Sequence, residues 1–186
     1  MGKVFERIDD ELRAWVEAQP LFFVATAPLA ADGLVNCSPR GLDSLRVLGE
    51  QEIAWLDLTG SGAETIAHLK ENGRIVVMLC AFEGLPRIVR FHGRGEVHEL
   101  GSPDYEALAP QFPDLPGARA VIRVRVTRIG DSCGYAVPRM DLVEPRDVLE
   151  RWAEQRGPEG LEAYRQERNM RSLDGLPAWS GEEAAD

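Results

Sequence analysis

Residues 58–66 read Leu-Thr-Gly-Ser-Gly-Ala-Glu-Thr-Ile: an apolar strand end, a Gly/Ser/Thr loop, then the start of a helix. Such a junction leaves free backbone N–H groups at the positive end of a helix dipole. Ser61, Thr65 and the amides of Gly60 and Gly62 are groups that can wrap a phosphate there. The order is neither Gly-x-x-x-x-Gly-Lys-Ser/Thr nor Gly-x-Gly-x-x-Gly, which argues against a nucleotide P-loop and a dinucleotide fingerprint. A plainer reading stays open, in which Ser61 or Thr59 simply caps the helix. Two short strands earlier, Ser38-Pro-Arg-Gly41 breaks the strand pattern. Its Arg40 either grips the phosphate through a bidentate contact or lies solvated in a turn. Asp43 and Arg46 read as a surface ion pair. Arg74, Arg87 and Arg90 are further cations for a pocket, and nothing local selects among them. Glu64 reads as a helix-start capping carboxylate and His68 as a surface or interface histidine. There is no Gly-x-Ser-x-Gly and no His-Glu-x-x-His. Cys37, Cys80 and Cys133 read as reduced thiols, and no Cys/His spacing suits a metal.

These groups need a scaffold to hold them. Residues 4–19 carry one apolar stripe (Phe5, Ile8, Leu12, Trp15 and Val16), which predicts a helix ended by Pro20. Residues 21–27 and 34–37 read as a hairpin, and 46–48 and 52–58 as two more strands. A helix over 63–71 stops at Asn72-Gly73. Strands follow over 74–81 and 87–99, the second with Gly93 and Gly95 marking a bend. A short helix at 104–112 precedes a cleanly alternating strand over 120–129, which puts Arg123 and Arg125 on one face. Charged helices at 146–156 and 159–169 are separated by Gly157-Pro158. The predicted fold is mostly β: six to seven mainly antiparallel strands, with N-terminal and C-terminal helices, closed as a small barrel.

With 186 residues, the chain suits one domain with appendages. The expected divisions are a barrel over 1–130, a helical extension over 131–179 that packs on the barrel or on a partner subunit, and a disordered acidic tail over 180–186. A net charge of −10 argues against broad nucleic-acid binding, because phosphate backbones need a basic face. No run approaches the roughly 20 apolar residues of a membrane span, and the charged N-terminus has no apolar signal core. The expectation is a cytoplasmic protein.

Val35-Asn-Cys-Ser-Pro-Arg-Gly41, the run from Ala54 to Leu69, and Glu71-Asn-Gly-Arg-Ile75 together resemble the pyridoxamine 5′-phosphate oxidase-like family. The resemblance spans about residues 5–130 and is more specific in order and spacing than at any one residue. It implies a split β-barrel, a homodimer, and FMN at the dimer interface. It implies that Ser38, Arg40 and Gly41 sit beside the isoalloxazine and ribityl chain, and that Ser61, Gly62 and Thr65 hold the phosphate. In many such barrels the partner's C-terminal segment closes the site; Asn169, Arg171 and Ser172 are the candidates here. Where the oxidases carry an Arg-Lys pair at the helix start, this chain has Glu64 and Thr65. The basic C-terminal ending that helps the oxidases recognise pyridoxal phosphate is also missing. The implied function is an FMN-dependent oxidoreductase with a small-molecule substrate that the sequence does not specify; the two departures argue against vitamin B6 phosphate. The alternatives are a reductase using the deazaflavin F420, or a non-catalytic flavin carrier or sensor.

Overall fold

The computed structural model describes residues 2–181. Among these residues one eight-stranded, antiparallel sheet forms a split barrel. The strands are β1 (Val4–Phe5), β2 (Phe22–Thr26), β3 (Asn36–Arg40), β4 (Leu45–Gly49), β5 (Glu52–Leu58), β6 (Arg74–Cys80), β7 (Ile88–Glu99) and β8 (Ala118–Ser132). Their order is β3-β2-β6-β7-β8-β5-β4, with β1 added against β8. The helices are α1 (Asp10–Glu17), α2 (Glu64–Asn72), α3 (Pro103–Leu108) and α4 (Val148–Arg168).

The long ladder between β7 and β8 is the spine. It runs from the Ile88–Ser132 pair to the Glu99–Ala120 pair, with an irregularity between His92 and Gly93. A Cβ at Gly93 would stand 2.3 Å from the Arg125 carbonyl oxygen, so the backbones touch where a side chain would otherwise hold them apart. This is the bend that the two glycines announce. Gly95 serves differently: a Cβ there would meet Leu69 of α2 at 2.7 Å, so the helix lies directly on the strand. Alternating residues of the sheet, including Val24, Ile53, Trp55, Val77, Phe91, Ile122 and Val124, fill the core together with Leu12 and Val16 of α1 and Ile66 of α2.

Three local departures from the sequence reading have physical causes. The N-terminal helix starts only at Asp10, because Asp9 caps it by accepting from the Leu12 amide at 2.8 Å; Val4 and Phe5 pair with Gly130 and Ile129 instead. Strand β3 runs straight through Pro39. It lies at the sheet edge, where a missing N–H leaves no ladder partner unsatisfied. The two late helices join at a kink, with Gly157 at φ 65°. Arg123 and Arg125 do share an outer face, paired with Glu52 and Glu96.

The C-terminal segment is tied to its own barrel. Lys70 of α2 holds Glu99, the Ala178 carbonyl and Ser180 Oγ, and the Ser180 amide donates to Glu99. Trp179 is buried, with the Arg165 guanidinium 5.2 Å over its ring. Residues 182–186, most of the expected acidic tail, lie outside the described residues. No described helix is long and apolar enough to cross a membrane.

Candidate functional site

Strand alternation builds the first wall. Along β3 the exposed residues are Cys37 and Pro39, while Asn36, Ser38 and Arg40 share the less exposed face. Asn36 donates to Thr65 Oγ1 at 3.1 Å and to Thr26 Oγ1 at 3.3 Å, and Ser38 donates to Asn36 Oδ1 at 2.9 Å. The β3 motif is thereby joined to the first turn of α2.

Under this wall lies a charge cluster. Asp57, near the end of β5 and after the apolar run 53–56, is completely buried. Its Oδ2 accepts from Arg119 Nε at 2.7 Å, and its Oδ1 is 3.1 Å from Arg40 Nη1. Burial alone would raise the Asp57 carboxyl. The charges of the Arg40 and Arg119 guanidiniums, with the hydrogen bond from Arg119 and the neighbouring Trp55 indole N–H, outweigh that and hold it below the ordinary carboxylate range. One carboxylate between two guanidiniums leaves one positive charge uncompensated. Arg119 is 1% exposed, whereas the Arg40 side chain retains 22% exposure and a buried Nε with no protein acceptor.

Arg119 carries the cluster into the loop. Its Nη2 donates to the Gly62 carbonyl at 2.9 Å and its Nη1 to Asn169 Oδ1 at 2.7 Å. Asn169, just past α4, donates in turn to the Gly60 carbonyl at 3.0 Å. Arg165 of α4 donates to Thr59 Oγ1 at 2.9 Å. The cap question is also answered here. The N-cap of α2 is Ala63, with no side-chain cap, so neither Thr59 nor Ser61 takes that role. The first turn of α2 thus opens with no side-chain acceptor for its N–H groups. Glu64 Oε1 accepts from the Leu173 amide at 3.3 Å, while its Oε2 lies against Gly62, so the carboxylate bridges the C-terminal segment and the loop.

A cavity of about 1080 Å³ opens beside this loop, at the upper end of the size usual for small-molecule sites. Gly41, Gly60 and Ser61 line it together with Leu42, Trp152 and Tyr164. Leu42 and Asp43 both have positive φ, 60° and 53°. Non-glycine residues seldom hold this conformation unless their surroundings enforce it, and such strain gathers at ligand sites. Here Ser44 Oγ donates to the Gly41 carbonyl at 2.6 Å, and Asp43 pairs with Arg46 at 2.9 Å. A larger cavity, about 1300 Å³, lies between α1 and the 82–87 loop; Arg87 lines it, and none of the residues expected to bind the cofactor does.

The candidates therefore sort by place. Gly41 and Ser61 face the cavity; Arg40 lies on the buried cluster; Gly62 and Asn169 are joined through Arg119; Ser38 and Thr65 are joined through Asn36. Thr65 is itself buried. Arg171 and Ser172 stand apart in a turn of the C-terminal segment, where Arg171 donates to the Gly175 carbonyl and Ser172 Oγ accepts from the Leu176 amide. Asn169 and Ser172 are buried within their own chain. Arg74, Arg87 and Arg90 are engaged elsewhere, with the Pro28 carbonyl, Asp131 and Ser132. His68 is not at the surface: it is fully buried, with Nδ1 2.9 Å from Thr26 Oγ1, and burial lowers its pKa. Asp57, Arg119 and Arg165 were missed by sequence reasoning. The available signal for Asp57 was a carboxylate near the end of the apolar run 53–58; Arg119, in a strand with several arginines, and Arg165, in a charged helix, carried none.

Residues 8–133 match the family model described as pyridoxamine 5′-phosphate oxidase. A pyridoxamine 5′-phosphate oxidase family protein of Aspergillus flavus, ustO, is 42% identical over 190 residues, covering 93% of this chain and 76% of that protein. Among solved structures, HupZ of Group A Streptococcus aligns with a TM-score of 0.51 at 26% identity, over 66% of this chain and 91% of that one. A Lactobacillus delbrueckii structure shares the fold, with a TM-score of 0.50 at 21% identity, over 68% of this chain and 98% of that one.

Asp57→Asn keeps the shape of the side chain but removes the charge that both guanidiniums face. Breaking a buried pair from one side costs about 3–5 kcal/mol, and urea unfolding at neutral pH is expected to register a loss of that order. Because the folded-state pKa of Asp57 is depressed, its contribution is complete above the ordinary carboxylate range. It is lost as the pH falls through the folded value. The difference between wild type and Asp57→Asn should therefore shrink on acidification; a difference that stays constant would contradict the assignment.

Proposed function

The chain belongs to the pyridoxamine 5′-phosphate oxidase family, and from that premise we propose that it is a cytoplasmic, homodimeric, FMN-dependent oxidoreductase. The loop 59–62 and the first turn of α2 would hold the phosphate of FMN, and Ser38, Arg40 and Gly41 would flank its ring. The observation that carries this reading is the uncapped start of α2, set over a buried cluster with one positive charge to spare. An anion placed there meets N–H groups that no side chain caps and a guanidinium held by Asp57, with the Glu64 carboxylate bordering the site at Gly62. The donor set fits a phosphate ester: the exposed Ser61 hydroxyl, loop amides, and Arg40 with an unpartnered Nε. Glu64, the residue that departs from the oxidase pattern, is hydrogen-bonded toward Leu173.

When bound, the flavin supplies the hydride chemistry. The chain's own part is to bind and orient. Asp57 fixes Arg40, Asn36 fixes Ser38 and Thr65, and Trp152 and Tyr164 wall the cavity with aromatic surface. The homodimer is supported by the extended segment before α4, where Tyr135, Met140, Leu142 and Val143 are 82%, 55%, 57% and 92% exposed. A row of exposed apolar side chains of this kind suits burial against another protein surface.

Titration of the purified chain with FMN, followed by flavin fluorescence, tests the reading. Tight binding at one FMN per subunit is expected. Losing one hydrogen bond to a charged group costs about 1.5–3 kcal/mol. Ser61→Ala, at an exposed position, and Arg40→Ala should therefore each weaken FMN binding by roughly tenfold or more. Unchanged affinity in both would remove the phosphate from this loop. Uptake of F420 in place of FMN, or bound FMN that no nicotinamide donor reduces, would replace the oxidoreductase by one of the two alternatives above. Light scattering should give twice the 20.6 kDa chain mass; a monomer with FMN bound would refute the dimer.

A further inference from the structure

The loop 59–62 is held by groups that do not line the cavity, and every holding group comes from outside the loop. Arg165 Nε donates to Thr59 Oγ1, Asn169 Nδ2 to the Gly60 carbonyl, and Arg119 Nη2 to the Gly62 carbonyl. Asn169 also accepts from Arg119, and its backbone amide donates to the Arg165 carbonyl at 2.7 Å, so the three holders are linked. All are buried: Arg119 is 1%, Arg165 5% and Asn169 0% exposed. Two of them, Arg165 and Asn169, come from the end of α4, more than a hundred residues along the chain.

Peptide geometry gives this arrangement its consequence. A trans peptide is planar, so a carbonyl and the N–H that follows it point in opposite directions. With the Gly60 and Gly62 carbonyls pulled inward, the Ser61 and Ala63 N–H groups are turned away from the network. Ser61 lies on the cavity side and is exposed. An unheld Gly-Ser-Gly loop samples many orientations of these amides, and fixing them beforehand spares a ligand that ordering cost.

We propose that Asn169, with Arg119 and Arg165, is the positioning set that aims the Ser61 and Ala63 amides at the cofactor phosphate, and so makes the chain select the phosphorylated flavin over its unphosphorylated form. This rests on the FMN reading above. It assigns the C-terminal segment a role within its own subunit: Asn169 shapes the phosphate site from beneath. Thr59 is the loop's point of attachment to Arg165, and its hydroxyl is the atom through which α4 acts on that end.

The test compares affinities for FMN and riboflavin, two ligands that differ only in the phosphate. Asn169→Ala should lower FMN affinity by roughly tenfold, with riboflavin affinity unchanged and a cooperative melting curve retained. Thr59→Val, nearly isosteric at a position 1% exposed, should shift the FMN-to-riboflavin ratio the same way, and Thr59→Ser should restore it. A folded variant in which both affinities fall together, or in which the ratio stays at the wild-type value, overturns the positioning role. If Asn169→Ala does not fold, the Thr59 pair decides alone. A wild-type chain that binds FMN no better than riboflavin defeats the phosphate reading itself; a wild-type preference that both variants keep defeats only the inference drawn here.

Discussion

Asp57 sets the terms for everything around it. A carboxylate with no exposure loses its hydration, and that loss is tolerable only where opposite charge and hydrogen bonds replace water. Two guanidiniums do so, from strands on different sides. Arg40 comes from the edge strand β3 and Arg119 from the start of β8. Once Arg119 is committed to Asp57, its remaining N–H groups must find acceptors in the interior. They find the Gly62 carbonyl and Asn169. A single buried charge at the end of β5 thus links the β3 face, the loop before α2 and the end of α4.

This linkage bears on how a family member can lack basic residues at the start of α2. On the proposed reading, positive charge reaches the phosphate from below the loop, through Arg40 and the orientation that Arg119 imposes. Such a site is already arranged before the ligand arrives and needs little reorganisation to receive an anion. The same buried network costs stability if any one member is lost, which explains why the loop is tied at several atoms. Hydrogen bonds in a low-dielectric interior reinforce one another, and a partly satisfied network is worse than none.

The architecture was largely legible because its signals are local. The alternation along β8, the stop of α2 at Gly73 in the left-handed conformation, and the glycines that bend β7 each depend on neighbours within a few residues. The side-chain partners were not. Asp57 and Arg119 are 62 positions apart and meet only because β5 pairs with β8. Arg165 and Asn169 reach the loop from the end of a helix that the sequence assigned only to packing on the barrel or on a partner subunit. His68 was misread for a related reason: a helix that packs on two strands buries more of its circumference than one apolar stripe, and the Thr26 hydroxyl makes a polar residue admissible there. Pro39 broke the strand pattern in sequence but not in space, because only the topology reveals that β3 is an edge.

The central claim is that the inward-held loop presents its amides to a phosphate. The most direct measurement is the amide spectrum of the ¹⁵N-labelled chain during addition of FMN and, separately, of riboflavin. With FMN, the Ser61 and Ala63 amide protons should move downfield, as N–H groups do on donating to an anion, and riboflavin should leave them nearly unmoved. Equal shifts with both ligands, or FMN binding that leaves Ser61 and Ala63 unperturbed, would contradict the account.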